Sequence, residues 1–463
     1  MTTYTTDQLM AKDKAHFTHP WTIFDVYKHE GALPIERAEG CYIYDTEGNR
    51  YLDAVGGLWC NNIGTGREEM AEAIAEQVRM MSYSSPFVDL TNVPATLLAE
   101  KIASIAPGDL NHVFYSCGGS TAIDTAFRLI HYFQNCRGKH DKKHIISRKS
   151  SYHGSTYAAM SIGGKAGDHP PEFDYLSDTI HHISAPKFYG DTSGKSEAEF
   201  LDELVAELEA KIVELGGEDH VAAFFAEPIL GAGGVIIPPQ GYHQRTWEIC
   251  QKYDVLYVSD EVVTAFGRLG HWFASEDEFG ITPDIITSAK GLTSGYQPLG
   301  ATIYSDKIHD VISEEGHGRC FAHGFTYSGH PVACAAALKN IEIMERENLH
   351  GNVSELAPYF QERLESLADL PIVGDVRGRG FMWCVEFVAD KTSFELFPEE
   401  LDIGKRISNH ADAKGLIVRP IVHLNVMSPP LNLKREDIDF IVDTLRESIE
   451  LTVAELNNEG YTL

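Results

Sequence analysis

Five short apolar runs, each broken off by a polar or glycine-rich turn, restrict this chain to an open α/β sheet: residues 111–116, 144–147, 221–226, 255–258 and 284–287. Continuous rather than alternating apolar character suits strands buried on both faces, as in a parallel sheet. Helical spacing lies between them. Ala122, Ala126, Leu129 and Ile130 follow the first run, and Leu201, Leu204, Val205, Leu208 and Ile212 precede the third and stop at Gly216-Gly217. Ligands of such sheets bind beyond the carboxyl ends of the strands, so the residues after each run carry the information.

The fifth run leads into Ser288-Ala289-Lys290-Gly291-Leu292, where small neighbours leave the Lys290 amine room to reach a ligand, and the fourth leads to Asp260. An amine that can form a Schiff base with an aldehyde, beside a carboxylate that keeps a pyridine nitrogen protonated, is the pair that pyridoxal phosphate needs. Such a cofactor also needs a phosphate cradle. The first run enters Cys117-Gly118-Gly119-Ser120-Thr121 at the start of a helix, where free amides and the helix dipole favour an anion and Ser120 is expected to cap. The second leads to Tyr152-His153-Gly154, which puts an aromatic ring and an imidazole at the same end of the sheet, and the third ends in Glu227-Pro228. Singly, each suits an ordinary role: a lysine in solvent, an acid opening a helix, a tyrosine at the edge of the core, a glycine pair in a turn. Their common placement at strand ends sets the reading.

In order along the chain, Gly-Gly-Ser, Tyr-His-Gly, Glu-Pro, Asp-Glu-Val, Ala-Lys-Gly-Leu and His-Gly-Phe-Thr-Tyr-Ser-Gly-His-Pro resemble the class III aminotransferases. The similarity starts near Trp21 and includes Leu58-Trp59-Cys60, residues 266–270 and residues 415–420. It is strongest to the ω-aminotransferase branch, with its amine:pyruvate, taurine:pyruvate and polyamine:pyruvate enzymes. The resemblance implies the fold type I architecture of pyridoxal-phosphate enzymes: a large domain on a mainly parallel sheet, and a smaller α/β domain built from both chain ends. It makes Lys290 the lysine that binds the cofactor aldehyde and Asp260 the partner of the pyridine nitrogen. Val262 and Tyr152 would cover the two ring faces, with His153 and Glu227 nearby. Gly119 and Ser120 would hold the phosphate, joined by Thr326 of a neighbouring subunit. It therefore also implies a homodimer, or a tetramer, with shared sites. Arg419 would pair with the carboxylate of a keto-acid acceptor and turn aside for an amine donor that lacks one. Trp59 and Phe87, with Tyr83, would line the substrate pocket. Amino transfer from an amine or ω-amino acid to a keto acid, pyruvate foremost, would follow ping-pong kinetics.

Two stretches depart from the family pattern. Thr121 and Ile123 stand where Glu and Asn are usual, which removes a charge and an amide, and residues 421–425 lack the usual Gly-Asp after Arg419-Pro420. Phosphate binding is expected to survive the first change; the second bears on donor preference, and His423 is expected to be structural. Aminomutases and decarboxylases on the same scaffold keep the lysine and the aspartate, so products must separate them. A nucleotide-dependent α/β enzyme has less support, since no GxGxxG opens a βαβ unit and Gly163-Gly164-Lys165 is not a P-loop.

A net charge of −30, from 38 Lys and Arg against 68 Asp and Glu, argues against nucleic acid and anionic lipid as partners. Eight scattered cysteines without a CxxC pair point to reduced thiols, and 21 histidines form no metal-binding spacing, His181-His182 lying in a stretch expected to be a loop. Residues 1–18 lack the apolar core of a secretion signal and no apolar run is long enough to span a bilayer, so the cytoplasm is the expected compartment.

Residues 41–45 and 50–53 alternate as a hairpin should around Glu47-Gly48-Asn49. Residues 1–66 are expected to join 345–463 in the small domain, leaving 67–344 as the large one. Residues 163–196 read as a long irregular connection. Ile438, Ile441, Leu445, Ile449 and Leu456 predict a terminal amphipathic helix over 435–456.

Overall fold

The computed structural model describes residues 4–190 and 194–461. The N-terminal hairpin forms as β2 (Tyr42–Asp45) and β3 (Arg50–Asp53), with β1 (Ile35–Glu39) antiparallel on the outer side of β2. Asp45 sets its turn: the carboxylate accepts the amides of Glu47 and Asn49 at 2.9 Å each and the Asn49 side chain at 2.8 Å. An aspartate that gathers amides ahead of it stabilises a turn without help from the rest of the fold.

A seven-stranded sheet follows, made of β4 (His112–Ser116), β5 (His144–Arg148), β6 (Ile180–Ile183), β7 (Val221–Ala226), β8 (Leu256–Asp260), β9 (Ile285–Ser288) and β10 (Gly300–Tyr304). Its order is β4-β10-β9-β8-β7-β5-β6, and every neighbouring pair is parallel except the two that β10 makes. The five apolar runs become β4, β5, β7, β8 and β9. All six residues of β7 are buried, as a strand covered on both faces requires. The long connection expected over 163–196 is in part a strand: β6 pairs in parallel with the edge of β5, and His181 and His182 lie in it. His181 Nε2 sits 2.9 Å from His144 Nδ1 across the β5–β6 pair, while His182 Nε2 lies 3.0 Å from the Ile162 carbonyl.

Toward the C-terminus, β11 (Val373–Arg379) and β12 (Met382–Phe387) form a third sheet with β14 (Arg419–Ile421) and β15 (Leu424–Met427), in the order β11-β12-β15-β14. The short β13 (Leu416–Ile417) instead pairs in parallel with β3, Leu416 opposite Leu52, which ties the two chain ends together. The helix Glu197–Glu214 opens on a capping box between Ser196 and Glu199 and ends before Gly216, whose φ of 102° suits a residue without Cβ. The terminal helix runs from Arg435 to Asn458 and buries the five expected apolar positions.

One apolar cluster reaches from Leu52 and Ile63 through Leu98, Ile303 and Ile341 to Phe360 and Ile441, so both chain ends share a core with one side of the large sheet. A second packs the helix Gly119–Cys136 onto the sheet and includes Ile123, fully buried. Where an amide is usual, this chain has extended its core instead.

Candidate active site

Five strand ends converge. Asp260 is the last residue of β8, Glu227 directly follows β7, Lys290 lies two residues beyond β9, and residues 117–120 and 152–153 follow β4 and β5. Asp260 stands opposite Thr287 in the β8–β9 pairing, and both its oxygens are committed. Oδ1 accepts the Val262 amide at 3.1 Å and the Thr287 hydroxyl at 3.3 Å, while His153 Nδ1 lies 2.7 Å from Oδ2. Because an ionised carboxylate only accepts, Nδ1 carries the proton of that contact. His153 is buried, and its Nε2 has no hydrogen-bond partner among the described residues.

Lys290 begins a single 3₁₀ turn, Lys290–Leu292, with φ at 39°. A non-glycine residue in this left-handed region costs about 1–3 kcal/mol and is retained where the surroundings fix it. Its Nζ lies 5.8 Å from the centroid of the Trp59 ring and makes no hydrogen bond to any described residue. Burial lowers the amine's affinity for a proton; Asp260, Cys60 and Glu227 oppose this, Arg419 adds to it, and burial wins. The amine is thus within electrostatic reach of the Asp260 carboxylate and, among the described residues, makes no hydrogen bond.

Trp59 is buried, as ordinary core packing would have it, yet its face is turned to the amine. The tight turn that delivers it uses Gly56 and Gly57 at φ 60° and 68°, held by the Asp53 carboxylate through the amides of Val55 and Gly57 at 3.0 and 2.6 Å. Glu227 is buried too. Its Oε1 accepts the Tyr152 amide at 3.0 Å and its Oε2 the Gly231 amide at 2.8 Å, so the side chain positions residue 152 rather than offering a free acid. Burial raises its pKa against the opposing pull of His153 and those amides.

At the start of the helix Gly119–Cys136, Gly118 is the N-cap and no side chain closes the end. Ser120 is therefore not the cap: it is the second helical residue, and its hydroxyl accepts the Ser155 amide at 3.1 Å. Thr121 braces the loop, accepting the Cys117 amide at 3.1 Å and donating to the Gly118 carbonyl at 2.8 Å. A Cβ on Gly119 would lie 3.0 Å from Val262 Cγ1, which brings Val262 against the helix start. The open helix end, the uncommitted amine and the anchored carboxylate fit a group that bears a phosphate, an aldehyde and a protonated ring nitrogen.

Other expected residues stand on the rim. Tyr152 is half-buried and meets the edge of Trp21, ring centroids 6.2 Å apart. Arg419 is exposed at the start of β14 and makes no ion pair or side-chain hydrogen bond among the described residues. Phe87 is half-exposed against Gly324, and the Tyr83 hydroxyl donates to the carbonyl of exposed Thr326 at 2.7 Å. Among the described residues, no hydrogen bond links Thr326 to Gly119 or Ser120. His423 is buried and its carbonyl accepts the Phe387 amide at 2.9 Å, a structural position.

The model of the family described as aminotransferase class-III matches residues 23–449. This chain belongs to the class III aminotransferases. Class III aminotransferases depend on pyridoxal phosphate, and they transfer an amino group from an amine to a keto acid. The putrescine–pyruvate aminotransferase of Pseudomonas aeruginosa is 42% identical over 450 residues, 97% of either chain. An (S)-enantioselective ω-transaminase of Thermomicrobium roseum superposes with a TM-score of 0.94 at 39% identity, covering 98% of this chain and all of that one. The ω-transaminase of Pseudomonas jessenii, solved in complex with PMP, gives 0.94 at 35% with the same coverage. The α/β fold with a mixed, mainly parallel central sheet agrees with fold type I.

Some neighbours of this aminotransferase site were not singled out in sequence. Arg148 is fully buried and donates to the Glu227 carbonyl at 2.5 Å, a cation at the end of an apolar strand that could have been suspected. The ring of Trp21 carried no such signal, since only chain folding brings it to Tyr152.

Proposed function

We propose that Lys290, Asp260 and the loops around them are the catalytic centre, and that a primary amine, a diamine foremost, donates to pyruvate. The observation that carries this is Asp260, clamped by His153, Val262 and Thr287 on the strand beside the one that presents Lys290. When bound, pyridoxal phosphate supplies an electron sink that makes the hydrogen on the amine-bearing carbon acidic. Asp260, oriented by those contacts, would pair with the ring nitrogen. Gly119 and Ser120 would hold the phosphate through helix-start amides and a hydroxyl, and Tyr152 and Val262 would cover the ring. Lys290 would hold the group through its aldehyde, and its amine, which burial favours in the neutral form, would serve as the base that takes the proton from the amine-bearing carbon. Trp59 and Phe87 wall the substrate, and Arg419, with no competing ion pair, is available to a carboxylate.

The proposal includes a homodimer in which Thr326 of a second copy completes the phosphate site. Phe87, Val88, Leu90, Val93 and Leu97 are exposed, and Phe87 and Tyr83 touch the loop of Gly324 and Thr326, so a covering subunit would bury an apolar edge and that loop together. Val88→Asp should shift light scattering to a monomer and reduce turnover; an active dimer would contradict the shared site. The division into residues 1–66, 67–344 and 345–463 belongs to the same proposal and is supported by the β3–β13 pairing. The cytoplasm is the proposed compartment: all eight cysteines are free thiols, and no described helix is long and apolar enough to cross a membrane. The test of function is a donor screen in which putrescine with pyruvate should yield alanine. Release of carbon dioxide, or conversion without an acceptor, would overturn it.

A further inference from the structure

The turn that carries Lys290 is backed by an element far away in sequence. Asn340, fully buried on the helix Pro331–Arg346, donates from its side-chain amide to the carbonyls of Gly291 at 2.9 Å and Leu292 at 3.1 Å. Its carbonyl oxygen accepts the Ser294 hydroxyl at 2.6 Å. Lys290, which opens this turn, and Ser294, two residues beyond its end, have left-handed φ values of 39° and 52°, and Asn340 grips the chain between them and at Ser294. The Ser294 oxygen in turn accepts the amides of Asn62 and Ile63 at 3.3 and 3.2 Å, the stretch that follows Trp59. The approach is close: a Cβ on Gly291 would lie 2.3 Å from Asn62 Nδ2. Asn62 itself donates to the Phe266 carbonyl at 2.6 Å and accepts from Arg268 at 2.8 Å. One amide therefore fixes the backbone of the amine and, through Ser294, the wall that the amine faces.

We propose that Asn340 is the positioning residue of the catalytic lysine, and that Ser294 couples it to the Trp59 wall of the substrate pocket. The inference rests on Lys290 being the site lysine. The amide is the right group because it presents two N–H donors to adjacent carbonyls and an acceptor to a hydroxyl; a carboxylate there would oppose oxygen to oxygen, and an aliphatic side chain would leave buried carbonyls bare. Strained φ values persist only where such contacts over-determine them. Without the grip, the turn is free to relax and the Lys290 amine to move from Trp59 toward water. The charged or titratable groups that act on it are Asp260, Glu227, Cys60 and Arg419, and none of them is bonded to Asn340.

The test is the pH dependence of acetylation at Lys290, read by mass spectrometry on the full-length chain freed of cofactor, alongside kcat of the loaded enzyme. Asn340→Ser keeps one donor, so it is the milder variant and Asn340→Leu the stronger. Loss of the grip should raise the labelling midpoint by about one pH unit, equivalent to about tenfold less labelling below it, and lower kcat by about the same factor. Ser294→Ala should leave the midpoint in place and raise the donor KM. Asn352→Ala is the control: it removes amide bonds to the carbonyls of Leu431 and Leu433, at 2.7 and 3.1 Å, and should cost stability without moving the midpoint. A folded Asn340→Ser with the wild-type midpoint would overturn the proposal, as would an equal shift in Asn352→Ala. Should Lys290→Ala keep turnover, the site reading itself would fail, which is a separate result.

Discussion

The strand-end half of the site and its rim are built differently. Around Asp260, Glu227 and Lys290, the carboxylates are hydrogen-bonded on both oxygens, the histidine is buried and the turns are held in strained conformations. On the rim, Arg419, Phe87 and Thr326 are largely exposed and Arg419 has no ionic partner among the described residues. The inner half is complete in a single chain. In the proposed reading, the outer half gains its definition from a substrate or a second subunit. Chemistry common to a family can be prearranged by a rigid sheet, whereas selection between an amine and a keto acid needs groups that can change partners.

Substitutions can break that contrast. Lys290→Ala should abolish turnover, by about 10³-fold or more, and remove the visible absorbance of the bound cofactor. A coloured, active variant would remove the inner half from the chemistry. Arg419→Ala should raise KM for a keto acid by about 10- to 100-fold, the worth of a charge-assisted hydrogen bond, and largely spare amine donors. Equal loss for both would show the rim to be as fixed as the interior. Glu227→Gln turns an NH₂ toward one of the two amides it now accepts, and should lower stability by about 1–3 kcal/mol in denaturant unfolding. No loss would mean that residue 152 is held by other contacts.

A buried carboxylate outside the site gives a third point of reference. Asp412 has a buried oxygen without a hydrogen-bond partner among the described residues, and burial pushes its pKa up to about 6. The folded state therefore holds this proton more tightly than the unfolded one, so stability falls as pH rises from about 4 to about 6. Asp412→Asn should flatten that slope and add about 1 kcal/mol at pH 7, solvent screening being allowed for. A melting temperature with the same pH dependence in both proteins would contradict the assignment.

Much of the inner half was legible in the sequence because parallel strands end where ligands bind, so Lys290, Asp260, Glu227 and Tyr152 could be placed by the apolar runs before them. The hairpin of residues 42–53 and the helices Glu197–Glu214 and Arg435–Asn458 were legible for the same local reason, since turn chemistry and periodicity are written in adjacent residues. Edge strand β6 is not legible in the sequence, because four residues with two histidines give little apolar signal. Ser120 looks like a cap from sequence, but the helix starts one residue earlier, at Gly119.

Which side chains stand at the sheet's carboxyl ends is written in the chain, because strand length and apolar burial fix where each run must stop. How those side chains are held comes from packing: His153 grips Asp260, Glu227 is spent on two backbone amides, Trp59 faces Lys290, and Asn340 backs the lysine turn. Apart from the bond between Glu227 and the Gly231 amide, these contacts join residues tens to hundreds of positions apart. No local pattern encodes them, since they arise when separate elements pack and each buried polar group must find a partner.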